Sequence, residues 1–115
     1  MAIWEWTGNF TDPTIEWPNI FSVADNIRFY HENEVEAVFL EQPNGAQNWG
    51  WMRKWMWARL MWDPGLDPRA LAREFIEGYY GEKATPFLWE YHKFVDRVAR
   101  ESRYASATVR WTAYP

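Results

Sequence analysis

Two short apolar segments separated by one amphipathic helical segment constrain the fold of this sequence most. Residues 3–7, Ile-Trp-Glu-Trp-Thr, are rich in aromatic and β-branched side chains and run into a glycine and an asparagine, a pattern typical of a strand that ends in a turn. A second strand is predicted from Val35 to about Glu41. Between the two, apolar residues recur at helical spacing over residues 20–30. Two strands joined by a helical crossover form a βαβ unit, so we expect them to be parallel.

Parallel strands occur almost always in sheets of more than two strands, with both faces covered. The centre of the second strand, Ala37-Val38-Phe39-Leu40, is continuously apolar, as expected of a strand that is covered on both faces. We therefore expect the chain to pair its strands with something else, or to be one piece of a larger α/β protein.

Three further helices are predicted after the second strand. The helix at about 46–61 is apolar on nearly every face, so we expect neighbouring elements to bury it. The helix over 67–81 begins with an Asp-Pro pair, an N-cap followed by a proline in the first turn, and ends at a glycine. The last helix begins with a Thr-Pro pair and spans about 85–104, and residues 105–115 are expected to form a loose tail.

Composition excludes several classes of protein. At 115 residues the chain holds at most one domain. A net charge of −4 provides no basic surface for phosphates, so we expect no nucleic-acid partner. No apolar run approaches the roughly 18 residues of a membrane span, and the amino-terminal residues do not resemble a signal peptide. We expect no membrane partner; the compartment stays open, and a parent protein could be secreted or periplasmic.

The sequence offers no metal site and no cofactor motif. It has no cysteine, and His31 and His92 are single histidines on separate predicted helices, so both are expected to be structural or exposed. There is no glycine-rich phosphate loop, and Ser22 has no nucleophile elbow around it. We therefore expect no metal and no cofactor.

The 10 tryptophans are the unusual feature of the composition. Tryptophan either fills a core or offers a ligand a flat apolar face with one N–H donor. We expect Trp4 and most tryptophans between residues 49 and 62 to lie in the core. Trp17 and Trp49 lie in or next to predicted loops, which makes them candidates for an exposed binding platform.

Ligands of α/β folds bind beyond the carboxyl ends of the strands. The sequence places Trp6 and Asn9 after or at the end of the first strand and Glu41 at the end of the second. Because side chains alternate along a strand, Trp4 and Trp6 are predicted to share one face of the sheet. We therefore take Trp6, Asn9 and Glu41 as candidate binding residues; the alternative for Glu41 is a structural carboxylate that pairs with an arginine or caps the next helix.

Several segments, taken in order from residue 4 to about residue 95, resemble the carboxyl-terminal part of the domain-of-unknown-function 4838 family. Members of this family are mostly bacterial and resemble glycoside hydrolases built on a TIM barrel. The segments that carry the resemblance are Trp4-Glu5-Trp6-Thr7-Gly8-Asn9-Phe10, Pro18-Asn19, Asn26-Ile27-Arg28-Phe29-Tyr30, Ala37-Val38-Phe39-Leu40-Glu41-Gln42, Leu60-Met61-Trp62-Asp63-Pro64, Leu66-Asp67, Glu74-Phe75 and Gly78-Tyr79-Tyr80-Gly81.

The resemblance implies that residues 1–62 are the last two βα units of a (β/α)₈ barrel and that residues 63–104 are a helical extension. A whole barrel needs about 250 residues, so the chain would be a fragment whose partner is the rest of the barrel. Trp6 would stack on a sugar ring, with Asn9 and Glu41 bonding its hydroxyls. The catalytic carboxylates would lie on earlier strands, so this chain alone is expected to be inactive. Leu40 departs from the family pattern as an apparent insertion before Glu41, which leaves the face of that carboxylate open.

Two other hypotheses remain. The chain could be a self-contained α+β interaction module that binds a partner protein through exposed tryptophans. It could also be a small sugar-binding module, in which case oligosaccharides should quench its tryptophan fluorescence.

Overall fold

The computed structural model describes residues 1–10, 14–42 and 48–101. Within these residues the fold is mixed α/β, with a two-stranded parallel sheet and four helices. The elements, in chain order, are β1 (Ala2–Trp6), α1 (Ile20–Glu32), β2 (Ala37–Glu41), α2 (Gly50–Trp62), α3 (Pro68–Tyr80) and α4 (Thr85–Glu101).

The predicted parallel pairing of the two strands is confirmed. Ala2 pairs with Ala37 at one end of the sheet, and Trp6 pairs with Glu41 at the other. β2 begins two residues later than predicted because the Val35 N–H still donates to the Tyr30 carbonyl at the end of α1, at 3.0 Å. The βαβ unit is therefore present with a shorter second strand.

The helix limits agree with the sequence pattern except at the start of α2. α1 covers the residues over which apolar side chains recur at helical spacing, and the Asp67 side chain accepts a hydrogen bond from the Arg69 N–H at 2.9 Å, which confirms it as the N-cap of α3. α2 begins only at Gly50, because Trp49 adopts φ 60°, a left-handed conformation that does not continue a helix. The predicted end of the last helix at about 104 and the predicted tail at 105–115 lie outside the described residues.

The hydrophobic core lies between helices. α2 packs against α1 and α3, and α4 packs against α3. The core residues are Ile20, Phe21, Val23, Ala24, Ile27, Met52, Met56, Trp57, Leu60, Leu71, Ala72 and Ile76.

The prediction that α2 is buried on all sides is wrong in part. Trp57 is buried, but Trp51 is mostly exposed and Trp62 is 92% exposed, because α1 and α3 cover only part of the helix surface. Arg53, by contrast, is completely buried. The core therefore takes fewer tryptophans than the apolar pattern suggests, and it includes one arginine.

The sheet is covered on one face only. On the covered face the Glu5 carboxylate accepts hydrogen bonds from Asn26 at 2.8 Å and from Tyr30 at 2.9 Å, both on α1. On the opposite face Trp4 is 68% exposed and Phe39 is 59% exposed. The predictions that Trp4 lies in the core and that β2 is covered on both faces are therefore wrong for the described part of the chain, since its helices do not pack on that face.

Candidate functional site

The strand register brings two of the predicted binding residues together. Trp6 and Glu41 form the last residue pair of the sheet, at the carboxyl ends of both strands. Trp4, which lies two residues before Trp6 on the same face, donates from Nε1 to Glu41 Oε2 at 2.7 Å. Glu41 is thus on the exposed face with both tryptophans, which answers the question that the sequence left open. We call the surface formed by Trp4, Trp6, Phe39 and Glu41 the aromatic face of the sheet.

Ring contacts order this surface. The Trp4 and Phe39 rings meet edge to face with centroids 5.5 Å apart, and the Trp6 ring lies 5.7 Å from that of Phe10 at a tilt of 51°. Edge-to-face and tilted aromatic pairs of this kind are each worth about 0.5–1.5 kcal/mol beyond the area they bury. About half of the Trp6 side chain nevertheless remains exposed to solvent. The aromatic face therefore presents solvent-exposed aromatic rings, held by contacts with one another, beside one carboxylate.

Buried polar residues hold the strand ends in place. Thr7 is completely buried, and both its N–H and its Oγ1 donate to the Glu41 carbonyl, at 2.9 and 2.7 Å. Asn19 Nδ2 then donates to the Thr7 carbonyl at 2.8 Å, which ties the start of α1 to the end of β1. These bonds fix the backbone from which the Glu41 side chain projects.

The other three predicted site residues lie apart from the open surface. Asn9 is only 4% exposed, and Trp17 is half-buried. Trp49 is also half-buried, and its ring contacts those of Tyr80, Tyr91 and His92. The structure therefore does not place Trp49 as the exposed platform that its sequence position predicts.

A second polar cluster surrounds Glu16, in the segment between β1 and α1. Glu16 Oε2 accepts hydrogen bonds from Tyr91 at 2.7 Å and from Trp49 Nε1 at 3.1 Å, and Glu16 Oε1 is 4.0 Å from the Arg53 guanidinium. Arg53 also donates to the Trp17 carbonyl, which accepts from the Asn19 N–H as well. A continuous set of hydrogen bonds thus links the Glu16 cluster to the strand ends.

Burial shifts the pKa values of three groups in this cluster. It lowers the pKa of His92 to about 4, so the imidazole is neutral at pH 7. It lowers the pKa of Arg53 to about 10, against the opposing attraction of Glu16. Burial, followed by the hydrogen bond to Glu16, raises the pKa of the Tyr91 hydroxyl to about 12. The cluster thus sets the buried guanidinium of Arg53 4.0 Å from the partly exposed carboxylate of Glu16.

Several buried polar atoms near the strand ends have no hydrogen-bond partner among the described residues. They are Asn19 Oδ1, both side-chain polar atoms of Gln42, and Nε and Nη1 of Arg53. Unsatisfied buried polar atoms cost roughly 1–3 kcal/mol each and are uncommon in folded proteins unless water or a ligand satisfies them. These atoms include both hydrogen-bond donors and acceptors, which suits ordered water or a ligand with several hydroxyl groups.

The strand-end rule includes Thr7 and Gln42 in the two stretches that follow the strands, but the sequence assigns neither of them a binding role. Asn19 and Arg53 are not predicted as site residues at all. Arg53 lies four residues after Trp49 and next to Met52, on the buried face of α2. The helical spacing of the apolar residues in α2 could therefore have identified Arg53 as a charged residue at a core position. Asn19 matches an N-cap, but its side chain makes no capping hydrogen bond to α1.

The described residues contain no group of three or more histidine, cysteine, aspartate or glutamate side chains that could hold a metal ion. None of the described helices is both long and apolar enough to cross a lipid bilayer.

A protein-family model matches most of the chain. The family model described as "Domain of unknown function (DUF4838)" matches residues 1–93, which include the sheet, α1, α2, α3 and the first half of α4. Searches of curated proteins and of solved structures returned no significant match.

Proposed function

The chain belongs to the DUF4838 family, and on that premise we propose that it supplies the last two βα units of a glycoside-hydrolase-like (β/α)₈ barrel and part of its sugar-binding site. In this proposal the aromatic face of the sheet lines the barrel interior, and Trp6 and Glu41 contact the sugar. The observation that carries the proposal is the register pair Trp6–Glu41, which sets an exposed indole beside a carboxylate at the carboxyl ends of parallel strands.

The one-sided packing of the sheet supports the barrel. In a (β/α)₈ barrel the helices lie outside, and alternate strand residues point into a closed interior. In this chain α1 contacts the face that carries Glu5, and the face that carries Trp4 and Phe39 is bare. Parallel strands are rarely left exposed in this way, so six further βα units would cover the bare face and satisfy both sheet edges.

The chemistry of the strand ends supports a sugar ligand. The C–H groups on one face of a pyranose pack well on an indole, and its hydroxyls bond to carboxylates and amides. Trp6 provides the ring and Glu41 the carboxylate, of which only Oε2 is engaged by a described residue. Asn9 is buried, so the segment at 7–10 must move before its amide reaches a ligand.

The proposal is for binding rather than for hydrolysis by this chain. Most glycosidases use two carboxylates, one on each side of the scissile bond. In the described residues Glu41 is the single carboxylate on the aromatic face, and Glu5 lies on the opposite face, bonded to Asn26 and Tyr30. The catalytic pair of the parent protein is therefore proposed to lie on other strands.

A protein-interaction module is the second candidate. The observation that favours it is the number of large apolar side chains exposed on the helices, among them Trp51, Trp62, Phe87 and Phe94. An interaction module would bind a protein partner through these helices, and the aromatic face would not be needed.

The proposed function is tested by calorimetric titration of the chain with a panel of neutral and acidic oligosaccharides. We expect binding, and we expect Trp6→Ala to weaken it at least about tenfold, because stacking on an aromatic ring contributes on the order of 1 kcal/mol or more. Trp62→Ala is the matched control, since Trp62 is exposed but belongs to α2 and is not part of the aromatic face. Equal loss in both variants, or no heat with any sugar, would contradict the proposal.

A further inference from the structure

Helix α4 carries a second apolar stripe that faces away from the core. Phe87, Tyr91, Phe94 and Val98 recur at intervals of four, three and four residues. Phe87 is 77% exposed and Phe94 is 54% exposed, and Val98 and Tyr91 are also partly exposed, at 46% and 38%. These residues define what we call the outer stripe of α4.

The outer stripe is separate from the face of α4 that packs on the rest of the protein. That inner face carries Leu88 and Trp89, which pack against the core, and the buried residues His92 and Asp96. One member of the outer stripe, Tyr91, also contacts the rest of the protein: its hydroxyl donates to Glu16 at 2.7 Å, and its ring lies against that of Trp49, with centroids 5.8 Å apart. α4 is thus apolar on two faces, of which the described residues cover only one.

The spacing of the outer stripe is that of a coiled-coil seam. Apolar residues at alternating intervals of three and four repeat every 3.5 residues on average, which keeps them along one line of a helix that packs against another helix. With 17 residues, α4 is long enough to present two heptads. Such a stripe fits a helix as its partner better than it fits a flat surface or an extended peptide.

The charged residues beside the outer stripe indicate which helix is its partner. Glu90 and Arg97 lie seven residues apart on the same side of the stripe, in positions where interhelical ion pairs form in coiled coils. Glu90 pairs with Lys93 at 2.6 Å, whereas Arg97 has no ion pair within the described residues and lies over the Phe94 ring. In an antiparallel pair of identical helices, the twofold axis sets Glu90 of each copy against Arg97 of the other.

We propose that the outer stripe of α4 is a self-association surface, on which a second copy of this chain packs its own α4 in antiparallel orientation. The four apolar residues of each copy form the seam, and two symmetry-related Glu90–Arg97 pairs fix the orientation. This inference does not depend on the proposed sugar site, which lies at the strand ends.

Sedimentation equilibrium of the whole chain tests the proposal. We expect a reversible dimer with a dissociation constant in roughly the micromolar range, as befits a small interface. Phe94→Glu should weaken it at least about 100-fold, because each dimer then buries two charges in the seam. Phe29→Glu is the matched control, since Phe29 on α1 is exposed to a similar degree and lies outside the stripe; this variant should dimerise normally.

Exchanging the charges of Glu90 and Arg97 distinguishes the proposed ion pairing from non-specific hydrophobic association. Glu90→Arg alone and Arg97→Glu alone should each weaken the dimer about tenfold, and the double variant should restore it to within about threefold. Circular dichroism confirms that each variant keeps its helical signal, and the charge exchange decides the matter even if Phe94→Glu unfolds. A monomeric wild-type chain, a double variant as weak as the singles, or a dimer lost in Phe39→Glu but kept in Phe94→Glu would overturn the proposal.

Discussion

The two-stranded sheet and the helical body, by which we mean α1 to α4, use tryptophan in opposite ways. Trp57 on α2 is 2% exposed, and its Nε1 donates to the Ile20 carbonyl at 3.1 Å inside the core. Trp4 on β1 is mostly exposed, and its Nε1 donates to the carboxylate of Glu41 at the surface. Burial in this chain is therefore decided by which elements pack together, and a high tryptophan count alone does not distinguish a core from a binding surface.

The difference also separates stability from function. The helical body closes on itself, because α1, α2 and α3 cover one another. The aromatic face of the sheet is ordered by ring contacts and by the hydrogen bonds of Thr7 and Asn19, but nothing in the described part of the chain covers it. We therefore expect substitutions in the helical body to change the free energy of unfolding, and substitutions on the aromatic face to change binding.

The largest effect on stability is expected from Trp57→Ala. This variant removes a fully buried ring and leaves the Ile20 carbonyl without its donor, so the free energy of unfolding should fall by about 3–5 kcal/mol. Urea denaturation followed by circular dichroism measures the loss. Trp62→Ala, on the same helix but exposed, should cost less than about 0.5 kcal/mol; similar losses in the two variants would contradict the assignment of the core.

An intermediate effect is expected from protonation of His92. Because burial lowers the pKa of folded His92 to about 4, below the ordinary 6.5 of the unfolded chain, the unfolded state binds more protons between these values. Stability from this group is therefore complete above pH 6.5 and is lost as the pH falls toward 4, by up to about 3 kcal/mol. Denaturation curves at several pH values for the wild type and for His92→Gln should diverge in this window. Parallel curves would show that His92 is not buried in the neutral form.

A small effect on stability is expected from Phe39→Ala on the aromatic face. The ring is more than half exposed and has one aromatic contact in the described structure, with Trp4, so its loss should cost less than about 1 kcal/mol. Thermal unfolding of this variant beside Trp57→Ala gives the ratio between the two regions. A loss as large as that of Trp57→Ala would show that the aromatic face is core in solution.

The sequence predicts the βαβ unit, the parallel pairing and the positions of all six elements, because helical spacing, caps and prolines are local signals. Asp67 shows this well, since its capping bond follows from the residue type and the proline that comes next. The delayed start of α2 depends on the left-handed backbone of Trp49, a conformation that the identity of that residue does not predict.

The packing around the candidate site could not be predicted in the same way. Alternation along the strands correctly groups Trp4 with Trp6, but whether a face is covered depends on elements distant in sequence. The hydrogen bonds of Glu16 likewise join it to Trp49 and Tyr91, which are 33 and 75 positions away in the sequence. Residue spacing does not reveal such contacts, nor does it reveal the burial of Arg53.

The most direct test of the central claim is the response of the tryptophan indole N–H signals to an oligosaccharide in the nuclear magnetic resonance spectrum of the isotope-labelled chain. Single substitutions of Trp4, Trp6, Trp57 and Trp62 assign the four signals that matter. If the aromatic face binds sugar, the Trp4 and Trp6 signals shift on titration, while those of buried Trp57 and of Trp62, which is exposed at the end of α2, stay in place. Shifts confined to Trp62, or no shift at Trp6 with any sugar of the panel, would contradict the account.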